Sequence, residues 1–133
     1  MDQCNYCVVF EDYTKNHYIK TFRKKYSDKV WGVTQDAIKE MCGRIDNLYS
    51  TNLVDRILQK ENCVLCKLDF SVAKTKESPK SSGNRCILLV DESLRSVRVL
   101  LVYSKNDVRG NHETQWWKAE VFGEYDDVRQ IFK

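Results

Sequence analysis

The sequence predicts an α+β domain: an antiparallel-rich four-stranded sheet, an αα-hairpin packed on one of its faces, and a C-terminal helix. Three observations carry this prediction. Two apolar runs, Cys86–Val90 and Ser96–Tyr103, flank the polar turn Asp91-Glu92-Ser93. They read as a β-hairpin that is covered on both faces or central in a sheet. Ile38, Met41, Ile45 and Leu48 recur at steps of three, four and three residues, the period of an α-helix with one apolar face. The order of elements (one strand, two helices, three strands, one helix) sets a run of helices before a strand meander, the pattern of an α+β layer.

The totals are consistent with one compact unit. A chain of 133 residues suits a single domain, 1–133, with a helical extension from about 113 to 133. Apolar residues at 42% and charged residues at 31% form an ordinary globular balance. No apolar run approaches the ~20 residues that a membrane helix needs. The opening MDQCNYCVVF lacks the basic-then-apolar order of a signal peptide, so the expected location is the cytoplasm, away from membranes. A formal charge of +3 permits an anionic partner without demanding one.

Taken in order, Cys7–Asp12 reads as a first strand. A first helix follows within Tyr13–Val30, where Ile19, Phe22 and Tyr26 share a face and Thr14 or Asn16 caps the start. Its outer face carries Lys20, Arg23, Lys24 and Lys25. A solvated face is the plainer account of these charges, and a phosphate-facing stripe the functional one. The second helix takes Thr34 as its N-cap and ends at Ser50-Thr51-Asn52, with a short link around Asp28–Val33 completing the αα-hairpin. Gly43 inside it either costs a little stability or marks close packing. Leu53–Leu58 is apolar but too short to assign to helix or strand.

From Leu65 onward, Cys63–Val72 alternates. Leu65, Lys67, Asp69 and Ser71 take one face and Cys66, Leu68, Phe70 and Val72 the other, as in a half-exposed strand. The segment AKTKESPKSSGN, with the only proline of the chain, reads as an exposed loop carrying Lys74, Lys76 and Lys80. In an antiparallel hairpin the start of one strand lies beside the end of the next, so Arg85 and Lys105 are expected at one rim of the sheet. Beyond NDVRGNHE, ETQWWKAEVF predicts a helix anchored by Trp116, Trp117 and Val121. EYDDVRQIFK then predicts a last helical segment through Tyr125, Val128 and Ile131 or Phe132. Adjacent tryptophans more often cover the edge of a core than stack on bases.

There are six cysteines, and a cytosolic chain of this size is not expected to form disulfides. Cys42 and Cys86 fall where small buried hydrophobes are expected. Cys4, Cys7, Cys63 and Cys66 form two C-x-x-C pairs, the formula of a four-thiolate structural zinc site. Against zinc, both pairs run into predicted strands, and residues three apart on a strand point to opposite faces. Zinc is therefore the lesser alternative, and no cofactor is the main expectation. A redox role is weaker still, because neither pair opens a helix within a βαβ unit.

The element order, with SGNRCILLVDESLRSVRVLLVYSKNDV and HYIKTFRKKYSDKV, resembles the RelE-like toxins of bacterial toxin–antitoxin pairs, members of the RelE/ParE fold. Gly83-Asn84-Arg85 matches a Gly-x-Arg that enters the third strand in that family. LLVYSKNDV matches the apolar run that ends its fourth strand before a lysine-bearing segment. The likeness spans about Val8–Val108. The Ala73–Asn84 loop and the Trp-bearing C-terminal segment depart from the pattern, and members without ribonuclease activity exist.

The resemblance implies a metal-independent endoribonuclease that cuts mRNA, commonly on the ribosome, by attack of a ribose 2′-hydroxyl on the neighbouring phosphate. It also implies a cognate antitoxin as protein partner. Such chemistry needs a base, an acid and cations around the developing charge. Arg85 is the first candidate, since its planar fork suits a phosphate, and a salt bridge to Asp69 is the plainer alternative. Lys67 and Lys105 would add cations, Tyr103 an acid or a stacking ring, and His112 a group that titrates near neutrality. Lys74, Lys76, Lys80 and Arg23 would capture RNA electrostatically. The other class open to this sequence is a non-catalytic module of the same fold that binds RNA or protein. Two arrangements separate them: Arg85, Lys67 and Lys105 clustered on an open face, or Arg85 buried in a salt bridge with an apolar groove around Trp116 and Trp117.

Overall fold

The computed structural model describes residues 6–73, 75–108 and 112–133, apart from the side chains of Tyr18, Lys80 and Asp107. Its centre is a five-stranded mixed sheet in the order β1-β5-β4-β3-β2. The strands are β1 (Cys7–Phe10), β2 (Val54–Lys60), β3 (Cys63–Phe70), β4 (Asn84–Asp91) and β5 (Ser96–Ser104). β1 forms one edge. The helices then carry the chain across to the other edge, and the meander β2–β3–β4–β5 walks back until β5 lies parallel to β1.

The expected sheet of four strands is thus corrected to five, and β2 is the added member. Its register slips between Arg56 and Leu58, so the adjacent residues Ile57 and Leu58 both pack against the same core. A bulge of this kind breaks the two-residue alternation by which a strand is read from sequence.

Helices cover both faces of the sheet. On one face lie α1 (Asp12–Thr14), a π turn (Lys15–Ile19), α2 (Lys20–Lys25), α3 (Asp28–Gly43) and α4 (Ile45–Leu48). The π turn has a packing reason. Thr14 and Ile19 are both buried, and i→i+5 bonding brings residues five apart onto one side, where α-helical geometry would separate them. Thr14 is not a cap: its hydroxyl donates to the Val99 carbonyl of β5. α3 begins earlier than expected, with Ser27 as N-cap accepting from Val30 N, so the predicted link Asp28–Val33 is helix. Thr34 sits inside α3, donating to the Val30 carbonyl and accepting from Ala73 N. Gly43 ends α3, and its carbonyl accepts from Tyr6 N at the start of β1.

On the opposite face lie α6 (Glu113–Glu124) and α7 (Asp126–Ile131). Trp117, Val121 and Val128 are fully buried against Leu65, Ile87, Leu89, Leu100 and Leu101. β3 is consequently covered on both faces, not half exposed as its alternation suggested. The register between β4 and β5 also slips, and the Leu100 carbonyl is met by the Tyr125 hydroxyl at 2.8 Å. The loop before β4 contains one helical turn, α5 (Pro79–Ser82), held by a Ser78/Ser81 capping box and closed by Gly83 at φ 76°, a backbone angle that favours glycine.

Candidate functional site

Asp69 of β3, Arg85 of β4 and Tyr103 of β5 are direct cross-strand neighbours on the face that α6 and α7 cover. Lys67 stands two residues before Asp69 on the same face. The sheet therefore brings Lys67, Arg85 and Tyr103 together, as the alternation implied. The first turn of α6 then adds Glu113. Arg85 Nη1 lies 3.3 Å from Asp69 Oδ1, and Arg85 Nε lies 2.8 Å from Glu113 Oε2. The Tyr103 hydroxyl donates to the same Glu113 oxygen at 2.6 Å.

The cluster is closed. The side chains of Arg85, Asp69 and Glu113 retain 11%, 3% and 25% of their exposure. Neither guanidinium nitrogen meets hydrogen-bond angles toward these oxygens, so the cage acts through charge. Two carboxylates surround one guanidinium, which makes breaking the arrangement costly. Burial, then the bond to Glu113, holds the Tyr103 phenol well above its ordinary pKa, so Tyr103 stays a donor. The Trp116 ring packs edge-on against Tyr103 at 5.1 Å.

The remaining predicted residues take separate places. Lys67 is mostly buried and faces Asp55 of β2 at 3.9 Å. Lys105 lies at the rim next to Gly83, to whose carbonyl its backbone N–H donates, but its side chain is exposed, whereas Arg85 points under α6. His112 is exposed just before α6 and caps nothing with its side chain. Lys76 is exposed in the loop before α5. Lys80 lies in α5, with its side chain outside the described set, and Lys74 lies outside the described residues. Arg23 is on α2, across the sheet from Arg85, and pairs with Asp28 at 3.3 Å.

The structure separates the cysteines of the two C-x-x-C pairs. Cys7 and Cys63 occupy the same cross-strand row, Cys7–Ser96–Asp91–Cys63, but two strands intervene. At ~4.8 Å per strand spacing they are about 14 Å apart, far beyond what one metal ion spans. Cys63 and Cys66 face opposite cores. Burial pushes the Cys66 thiol up to about 12, which disfavours the thiolate a metal needs. Cys4 lies outside the described residues. Among the described residues no group of three or more His, Cys, Asp or Glu side chains is placed to hold a metal ion.

Glu113 is the residue that sequence reasoning missed. A signal for it exists: Glu113, Trp116, Trp117, Glu120 and Val121 follow helical spacing, so a carboxylate at the start of α6 shares its inward side. Nothing local assigns it to Arg85, because that pairing depends on where α6 crosses the sheet.

No protein-family model matches the chain, and no curated protein matches it in sequence. Among solved structures it is similar to a chain of the archaeal RelE-RelB complex from Pyrococcus horikoshii OT3. The TM-score is 0.51 and the identity 8%, over 78% of this chain and 99% of that one. At that identity the likeness shows the fold alone: the chain has a RelE-like fold.

Proposed function

We propose that this chain works as a RelE-like binding module that pairs with an antitoxin-like protein, and not as a ribonuclease built on Arg85. The observation that carries this reading is Arg85 itself, caged between Asp69 and Glu113 beneath α6. A guanidinium that stabilises a phosphate must present its donors to the phosphate, and here a phosphate would first have to displace Glu113. The like-folded neighbour belongs to a RelE-RelB complex, and this supports a protein partner.

One observation favours a second reading, metal-independent cleavage of mRNA, on the ribosome or free, by 2′-hydroxyl attack. Lys67, Arg85 and Tyr103 do share a face on three adjacent strands, with Lys105 and His112 in neighbouring segments. If the first turn of α6 lifted, Arg85, Lys67 and Lys105 would offset charge on the phosphate. Tyr103, released from Glu113, would serve as the acid, and His112 or Glu113 as the base.

The test is induced expression in a bacterial host of wild type, Arg85→Ala and Glu113→Gln, with RNA 5′ ends mapped in each. The expected result is no new RNA ends in any of the three, with the protein folded. New ends in wild type or in Glu113→Gln that disappear in Arg85→Ala would overturn the binding-module reading. Co-expression with the product of the adjacent reading frame, followed by size-exclusion chromatography, is expected to yield a stable complex.

A further inference from the structure

A groove of about 440 Å³ lies on the outer side of α3, where α3 gives way to α4. Ala37, Glu40, Met41, Arg44, Asn47 and Leu48 line it. α3 buries Trp31, Thr34, Ile38 and Cys42 against the sheet. Val33, Ala37 and Met41, four residues apart, form the ridge beside that buried stripe. Val33 is 51% exposed and Ala37 is exposed, while Met41 and Leu48 are half-buried and pack against the core from outside.

The ridge carries both halves of a contact. Val33 projects at one end, and the groove opens beside Leu48 at the other. Ala37 lies between them, and its short side chain lets a second helix come close. The polar rim includes one acid and one base. Glu40 Oε1 lies 3.7 Å from Arg44 Nη2, with their side chains 71% and 62% exposed. An ion pair this exposed is weakly held, so either member can change partner at little cost. Together the two charges cancel, and the rim offers no net attraction to a polyanion or an anionic membrane. A closed two-fold contact needs a patch that complements itself, with each residue meeting its counterpart reciprocally. Acid and base, and projection and groove, on a single ridge meet that requirement, which a surface shaped for an unlike partner need not meet.

We propose that this chain pairs with a second copy of itself through α3, the two α3 helices antiparallel, with Glu40 of each copy opposite Arg44 of the other. In that register each acid faces a base across the contact, and the two Met41 side chains meet beside the two-fold axis. Val33 of each copy falls within one helical turn of Leu48 of the other. The surface lies across the sheet from the Arg85 cluster and goes beyond the binding-module reading.

The experiment is sedimentation velocity of the purified full chain over a concentration series. Glu40→Arg sets arginine against arginine across the contact, and Arg44→Glu sets glutamate against glutamate. Each is expected to raise the dissociation constant of the dimer at least about tenfold. Mixed in equal amounts, the two variants are expected to form a heterodimer, because each supplies the charge that the other needs. The double swap Glu40→Arg/Arg44→Glu is expected to pair as wild type does, and Val33→Ser to pair more weakly. Circular dichroism is expected to show the wild-type fold in every variant, since the altered side chains are exposed. Wild type that stays monomeric, single swaps that dimerise as wild type does, or swaps that do not pair with each other would each overturn the proposal. So would a groove that takes only a co-expressed antitoxin-like protein. RNA ends that depend on Arg85 would leave it standing, so the two readings fail separately.

Discussion

At the scale of single residues, Arg85 is defined by what surrounds it. Asp69 is almost wholly buried, and Arg85 lies 3.3 Å from it. Arg85→Ala removes a cation from beside a buried carboxylate and is expected to cost up to about 3–5 kcal/mol of stability. Adding Asp69→Asn removes the carboxylate charge and is expected to recover part of that loss. Urea unfolding of the two single variants and the double variant measures both effects. A loss in Arg85→Ala below about 1 kcal/mol would mean that Asp69 is compensated elsewhere. Lys67 shows the same economy on a smaller scale, since its partner Asp55 comes from β2, the strand that the sequence pattern left unassigned.

At the scale of elements, α6 decides which chemistry the sheet can offer. The hairpin β4–β5 and strand β3 present Leu65, Ile87, Leu89 and Leu101 on the face away from α3. Without α6 and α7 these would form an exposed apolar surface, with Arg85 at its margin. Trp117 is the centre of the cover and is fully buried. Trp117→Ala is expected to cost about 3–5 kcal/mol and to expose that surface to a hydrophobic dye. The Trp117 indole N–H has no acceptor among the described residues, so Trp117→Phe is expected to cost clearly less, because no hydrogen bond is lost. Equal losses in the two variants would show that the N–H is satisfied in solution.

At the scale of the molecule, one arginine ties the C-terminal layer to the far edge of the sheet. Arg98 of β5 pairs with Glu11, just after β1, at 2.6 Å and with Asp127 of α7 at 2.7 Å. The bond from Arg98 holds the Asp127 carboxyl below its usual value. A carboxyl depressed in the folded state contributes stability that is present above its unfolded pKa, about 3.9, and lost as pH falls through the folded value. Acid unfolding in that window is expected to be less steep in Asp127→Asn than in wild type, as followed by circular dichroism. Identical pH profiles would show that the exposed Arg98–Asp127 contact does not outlast solvent screening.

Local periodicity was enough for much of this architecture. The β4–β5 hairpin, the faces of β3, the Trp-anchored α6 and the tail helix all follow from patterns within a few residues, because burial acts on side chains at fixed helix and strand spacing; the stripe Ile38, Met41, Ile45 and Leu48 was expected on one helix, and the structure divides it between α3 and α4 at Arg44. The same patterns placed Lys67 and Arg85 on one sheet face and Arg85 near Lys105 at one rim. Other features lay beyond them. A bulge hid β2, and a cap at Ser27, seven residues before the expected Thr34, hid the true start of α3. Only the packing of α6 across the sheet decided that Glu113 meets Arg85, and only the strand order decided that Cys7 and Cys63 stand two strands apart. These are contacts between residues distant in sequence, and they depend on how whole elements cross, which no local spacing encodes. The sequence by itself determined which side chains face the sheet, and the tertiary structure decided that the arginine among them is already partnered.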